Sequence, residues 1–269
     1  MLPAHDVAAC SYQEHGTRAL SLSLREGWLL ACLRGRPGYP AALVDWLEAT
    51  VGAQPGEHLA DVGCGTGLLA GVFLSRGYRV TGVEPDEDMR TAAGRCLNDR
   101  PLFGILEGTA EATGLPAGSV DGVIVGTAFH WFDVDAAAAE FRRILRPGGW
   151  VLLAANERAA ESDADQSFYD LLTLFRVDAD KRLRRLAHSE PERFLGPRTC
   201  SVELPNPLLD EASFAALAFS RSYMPRLGEP RRAEAQRLIT EAFTRHARDG
   251  IYPLGYRTTC YVAERFGTP

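Results

Sequence analysis

Short apolar runs alternate along the first half of the chain with longer segments whose apolar positions recur every three or four residues. His58 to Val62, Arg79 to Val83, Leu102 to Leu106, Asp121 to Val125 and Trp150 to Ala154 read as five strands. The spacing predicts helices over Leu68 to Arg76, closed by Gly77, over Glu87 to Leu97, and over Ala136 to Leu145, stopped by the turn Arg146 to Gly149. An earlier helix runs from Ala41 and ends near Gly52. Strands alternating with helices of this length form βαβ units, whose right-handed crossovers build a parallel sheet in an α/β fold.

After the fifth strand the rhythm changes. Residues 156 to 198 are charged and helical in pattern, with Phe168, Tyr169, Leu171, Leu172 and Phe175 on one stripe, and are expected to form a helical cap over a pocket. Thr199 to Leu204 reads as a strand, Glu229 to Arg248 as a long helix and Tyr256 to Ala263 as a last strand of the same sheet. Residues 1 to 40 form an N-terminal segment, helical or irregular, broken at Arg36-Pro37-Gly38. The 269 residues suit a single domain.

Composition narrows the function classes. With 46% hydrophobic and 24% charged residues the chain is ordinary globular protein, and a net charge of −6 offers no overall basic field for nucleic acid. Cys10, Cys32, Cys64, Cys96, Cys200 and Cys260 lie far apart with no CxxC pair, so reduced, buried thiols are expected and no metal site. Nothing approaches the ~20 apolar residues of a membrane span, and no apolar signal core opens the chain. A cytoplasmic protein without membrane partners is the expectation. His5 and His15 are expected at the surface, and the short charge run Lys181 to Arg185 as a solvated face.

Asp61-Val62-Gly63-Cys64-Gly65-Thr66-Gly67 carries the most chemistry. Glycines at alternate positions after a buried strand let the backbone turn sharply and approach a ligand where a Cβ would collide. Nicotinamide and flavin enzymes use a G-x-G-x-x-G/A loop against a pyrophosphate. Here Asp61 stands just before the first glycine and would repel such a group, whereas it suits an ammonium. No Lys-Ser/Thr follows, which removes the P-loop reading. Glu84 ends the second strand, where an acid about 20 residues downstream can accept hydrogen bonds from ribose hydroxyls. Met89 follows within one turn, either against a purine face or in the core.

The run Asp61 to Gly67, Glu84-Pro85, Gly108-Thr109-Ala110-Glu111, Leu115 to Asp121 and Leu145 to Gly149 resembles, in order, the motifs of class I S-adenosylmethionine methyltransferases. Arg36 to Pro40, Ala128 to Phe132 and Ser220 to Tyr223 further resemble a small-molecule branch that includes trans-aconitate methyltransferase-like proteins. The resemblance covers roughly residues 36 to 265. It implies a Rossmann-like seven-stranded sheet in the order 3-2-1-4-5-7-6, strand 7 antiparallel, with S-adenosyl-L-methionine across the carboxyl ends of strands 1 and 2. Gly63, Cys64, Gly65 and Gly67 would then cradle the methionine part, with Asp61 near its ammonium. Glu84 would hold the ribose, and Pro85 and Met89 would flank the adenine. Thr109, Ala110 and Glu111 would meet the ring edge, with Thr109 standing where the family often has Asp. Arg36, Tyr39, Thr127 and Ala128 would complete the cofactor contacts, Arg36 by pairing with the methionine carboxylate.

Methyl transfer from a sulfonium needs alignment, and for some nucleophiles a base. His130 follows the fourth strand at the carboxyl edge, where open α/β sheets place ligands, and is the candidate catalytic residue. Proton acceptor, contact to cofactor or substrate, and packing all fit that position. Trp131 and Phe132 fit the core or a pocket wall. The expected partner is a small-molecule methyl acceptor. The alternative is a cofactor-binding protein of the same fold with a non-methylating role, such as a cyclase or isomerase.

Overall fold

The computed structural model describes residues 38–158, 162–175, 191–196, 199–205, 209–221 and 223–266. These fall into two units, one built on the sheet and one of helices. Arg36, His5, His15, Cys10, Cys32 and Lys181 to Arg185 lie outside the described residues, as do residues 1 to 37 of the N-terminal segment.

The sheet unit begins with α1 (Ala42–Val51), which ends at Gly52 in the left-handed conformation. It continues through β1 (His58–Val62), α2 (Leu68–Leu74), β2 (Arg79–Val83), α3 (Glu87–Cys96), β3 (Phe103–Leu106), β4 (Val120–Val125), α4 (Val134–Ile144) and β5 (Leu145–Arg158). A short helix α5 (Pro191–Leu195), β6 (Thr199–Pro205) and β7 (Tyr256–Ala263) complete it. The seven strands lie in the order β3-β2-β1-β4-β5-β7-β6. β1 to β5 pair in parallel, and β7 runs antiparallel to both β5 and β6. The fold is therefore the Rossmann-like one that the motifs implied.

Alternate residues of the central strands feed two cores. Leu59, Ile124, Trp150, Leu152, Cys260 and Val262 pack on one face with Leu43, Leu47 and Phe73 from α1 and α2. Ala60, Val62, Val123, Val125, Val151 and Leu153 pack on the other with Phe141 and Ile144 of α4 and Phe194 of α5. Burial on both faces is why these strands read as continuous apolar runs. Among the described cysteines Cys64 and Cys260 are buried free thiols and Cys96 is half-buried.

A buried carboxylate fixes the loop between β3 and β4. Glu140 of α4 accepts hydrogen bonds from the Thr113 amide (2.8 Å) and hydroxyl (2.6 Å) and pairs with Arg143. The Arg143 guanidinium and the two Thr113 donors hold it down to about 2, so it stays ionised across the physiological range.

The helical unit contains α6 (Asp163–Thr173), α7 (Glu211–Phe219) and α8 (Arg232–His246). α6 starts with a capping box in which Ser162 and Asp165 satisfy each other's backbone amides. Its core stacks Phe214 on Tyr252 (3.9 Å between centroids), with Phe168 and Phe243 against Phe214. Phe168, Leu171, Leu172 and Phe175 of the apolar stripe are buried, while Tyr169 is exposed. Among the described residues of 156 to 198, the helical expectation thus meets the end of β5, α6, and α5, the last packed on the sheet unit.

Candidate active site

The glycine loop leaves β1 at Val62 and is clamped onto the end of β2. Val83 O accepts from the amides of Gly63 (2.8 Å) and Cys64 (3.2 Å). The Glu84 carboxylate then takes the Gly65 amide on one oxygen (2.9 Å) and the Asp86 amide on the other (3.1 Å). One side chain thereby sets both the loop and the start of α3, which Asp86 caps through the Met89 amide. Pro85 is exposed and Met89 half-buried on this rim. Cys64 turns its sulfur towards Gly82, which makes its side chain a packing group beneath the loop.

Two glycines are demanded for different reasons. Gly63, at φ 70°, would bring a Cβ to 2.7 Å from Ala128 Cβ and 3.6 Å from the Phe132 ring. The segment after β4 therefore packs directly on the loop. Gly65, at φ 56°, would meet nothing within 4 Å among the described residues. Its bare backbone faces open space.

Asp61, next to last in β1, lies fully buried. Its Oδ2 accepts from the Ala70 amide in α2 (3.1 Å), and its Oδ1 finds no partner among the described residues. Burial pushes the carboxyl up to about 7, with the Glu84 charge adding to the rise and the Ala70 bond opposing it.

After β4 come Thr127, Ala128 and a single 3-10 turn, Phe129–Trp131. Phe129 and Phe132 anchor the turn in the core, edge to face at 6.0 Å. His130 is half-buried, its ring 5.0 Å from that of Trp131, which is 53% exposed. Trp131 is thus a surface residue at the carboxyl edge of the sheet, not a core one. Asp133 uses its carboxylate to cap α4 through the Ala136 amide, and its own amide donates to Glu111 Oε1 at 2.8 Å. That bond joins the Thr109 to Glu111 loop to the turn carrying His130. Ala110 is buried, and Thr109 is exposed in a tight turn with Ala112.

Asp61, Gly63, Cys64, Gly65, Gly67, Glu84, Ala110, Glu111, Thr127, Ala128 and His130 thus all sit on loops at the carboxyl edge of the sheet or directly beneath them. Tyr39 is buried, and its hydroxyl oxygen accepts from the Thr127 amide at 2.9 Å. Asn156, at the same edge of β5, bonds to three segments of the chain, and no local sequence pattern marks it. Among the described residues no cluster of His, Cys, Asp and Glu could hold a metal ion, and no helix is long and apolar enough to cross a membrane.

A methyltransferase-domain family profile matches residues 60–153. An uncharacterized methyltransferase of Mycobacterium tuberculosis is 34% identical over 190 residues, spanning 71% of this chain and 73% of that protein. The chain belongs to the class I S-adenosylmethionine methyltransferase family. Among solved structures, a protein classed as a type II methyltransferase from Anaeromyxobacter dehalogenans superposes with a TM-score of 0.52 and is 27% identical. The alignment covers 86% of the methyltransferase described here and 96% of that chain. A malonyl-[acyl-carrier protein] O-methyltransferase of Serratia marcescens is 35% identical over 118 residues, 42% of this methyltransferase and 45% of that enzyme.

Proposed function

We propose that the protein transfers the methyl group of S-adenosylmethionine to an oxygen, nitrogen or carbon atom of a small molecule. The observation that carries the reading is Asp61 Oδ1, a buried carboxylate oxygen with no partner among the described residues. An orphaned charged oxygen is costly unless a cation meets it, and the cofactor brings an ammonium. The open space at Gly65 is the second fit, since a Cβ there would fill only room that the described residues leave empty. Gly63, Gly65 and Gly67 would carry the methionine part, Glu84 the ribose, and Ala110 with Met89 the adenine. When bound, the cofactor supplies a methyl group already activated on a sulfonium. The protein's own tasks are to exclude water, to orient the acceptor and, where the nucleophile carries a proton, to remove it at His130 Nδ1 or Nε2.

Two outcomes test the cofactor assignment without knowledge of the acceptor. Glu84→Ala weakens S-adenosylmethionine binding by about 1.5–3 kcal/mol, the worth of hydrogen bonds to a charged group. Unchanged affinity by titration calorimetry removes Glu84 from the site. The second outcome concerns pH. The Asp61 carboxyl titrates at about 7 in the folded protein and near 4 when unfolded. Without ligand, this group's contribution to stability therefore declines as pH rises from about 4 to about 7 and is constant above. An ammonium ligand favours the ionised form, so affinity for S-adenosylhomocysteine rises about tenfold between about pH 5.5 and 7. Asp61→Asn flattens that profile. A wild-type profile already flat over this interval contradicts the pairing.

The reaction itself is tested by S-adenosylhomocysteine release in the presence of candidate acceptors. A purified protein that binds the cofactor yet releases none with a broad acceptor panel, while converting a substrate without methylation, replaces the methyltransferase reading with the cyclase or isomerase one.

A further inference from the structure

We propose that Asn156 is a positioning residue, fixing the loop after β4 that carries Ala128 and His130 by tying it to β7 and to residues 38–39. It sits on β5 beyond the last pairing with β4, and its cross-strand partner on β7 is Thr258. Its backbone amide and both ends of its carboxamide are bonded. Its amide donates to Thr127 Oγ1 at 3.2 Å. Its Nδ2 donates to Gly38 O at 3.3 Å, and its Oδ1 accepts from the Thr258 hydroxyl at 2.6 Å. Tyr39 closes the ring from the other side. Its hydroxyl oxygen accepts the Thr127 amide at 2.9 Å and lies 3.2 Å from Thr127 Oγ1.

This arrangement needs the carboxamide of asparagine. The Gly38 carbonyl can only accept and the Thr258 hydroxyl can donate, so one side chain must present a donor and an acceptor at once. Thr258 is fully buried, which anchors the network in the interior. At its other end Thr127 is exposed, one residue before Ala128, whose Cβ sets the contact with Gly63. A shift of Thr127 therefore moves Ala128 against the glycine loop and His130 with it. Small misplacements of this kind carry large consequences for in-line transfer. The functional consequence rests on the methyltransferase reading; the tether itself does not.

Hydrogen exchange followed by mass spectrometry on the full-length protein without ligand tests the tether. Thr258→Val removes the bond to Asn156 Oδ1 at nearly constant volume, Asn156→Asp replaces the Nδ2 donor by an acceptor, and Thr258→Ser keeps the hydroxyl. The expected result is about tenfold faster exchange of residues 126–132 in Thr258→Val and Asn156→Asp, with the rest of the sheet unchanged and Thr258→Ser like wild type. S-adenosylhomocysteine affinity, measured by calorimetry on the same samples, falls about fivefold in the first two variants. Unaltered exchange at 126–132, or acceleration spread evenly over the sheet, overturns the proposal. Local acceleration in a protein whose wild type does not bind S-adenosylhomocysteine supports the tether and removes the cofactor reading instead.

Discussion

Valine in place of Gly65 abolishes S-adenosylmethionine binding in a protein that still folds. No described atom lies within 4 Å of a Cβ at this position, so the added Cβ meets no obstacle among the described residues. The backbone at φ 56° costs a β-branched residue about 1–3 kcal/mol, which a sheet with two packed cores can absorb. What the side chain fills is the space above the loop. Affinity is expected to fall at least about 100-fold, because steric exclusion disturbs the whole pose rather than one hydrogen bond. Calorimetry with S-adenosylmethionine, alongside near- and far-ultraviolet circular dichroism, checks it. Normal binding by a natively folded variant would sink the assigned loop. Gly63→Val behaves differently: its Cβ would press on Ala128 at 2.7 Å, so local structure suffers before binding does.

Alanine in place of His130 lowers the methyl-transfer rate about 10²–10⁴-fold at saturating cofactor, with cofactor affinity nearly unchanged, if the imidazole removes the acceptor's proton. The segment that bears His130 packs on the glycine loop through Ala128 and Phe132, which brings it beside the cofactor's expected place. The half-buried ring is backed by Trp131. The wild-type rate is expected to rise with pH through one ionisation, since only the neutral imidazole accepts a proton. That dependence survives Asp61→Asn at saturating cofactor, which separates it from the titration of Asp61. A wild-type rate in His130→Ala with saturating acceptor excludes the catalytic role. A parallel loss of rate and acceptor affinity assigns His130 to positioning.

Asp61, the alternating glycines and Glu84 were readable because their spacing follows directly from a strand, a turn and a helix in immediate succession. β1, β2 and β4 were readable for a related reason, burial on both faces. β5 extends to Arg158, past the apolar run that announced it, because Ala155 to Arg158 pair with β7 after β4 has ended. Asn156, Glu157 and Arg158 carry polar side chains that no two-face burial rule would select. α7 escaped notice because it is short and apolar around most of its surface, so no single stripe marks it, although Asp210 caps it through the Ser213 amide. The site's tethers were the least legible part. Asn156 meets Gly38 and Thr258, and Glu140 meets Thr113, across long stretches of chain, and nothing local in the sequence distinguishes them from exposed polar residues.

The Asp61 oxygen left unpaired among the described residues also bears on which inhibitors the proposed pocket would accept. A nucleoside thioether that keeps the adenosine but lacks the amino group would bury its chain over a carboxylate that must either stay protonated or go unneutralised. On the proposed pairing, such a compound is expected to be rejected more strongly as the medium becomes more alkaline, the reverse of the expectation for S-adenosylhomocysteine. A replacement carrying a guanidine or a simple amine in that position is expected to keep its grip, because it restores a cation opposite the carboxylate. The amino end of the ligand, rather than its base, is therefore where the pH response of binding is expected to be set.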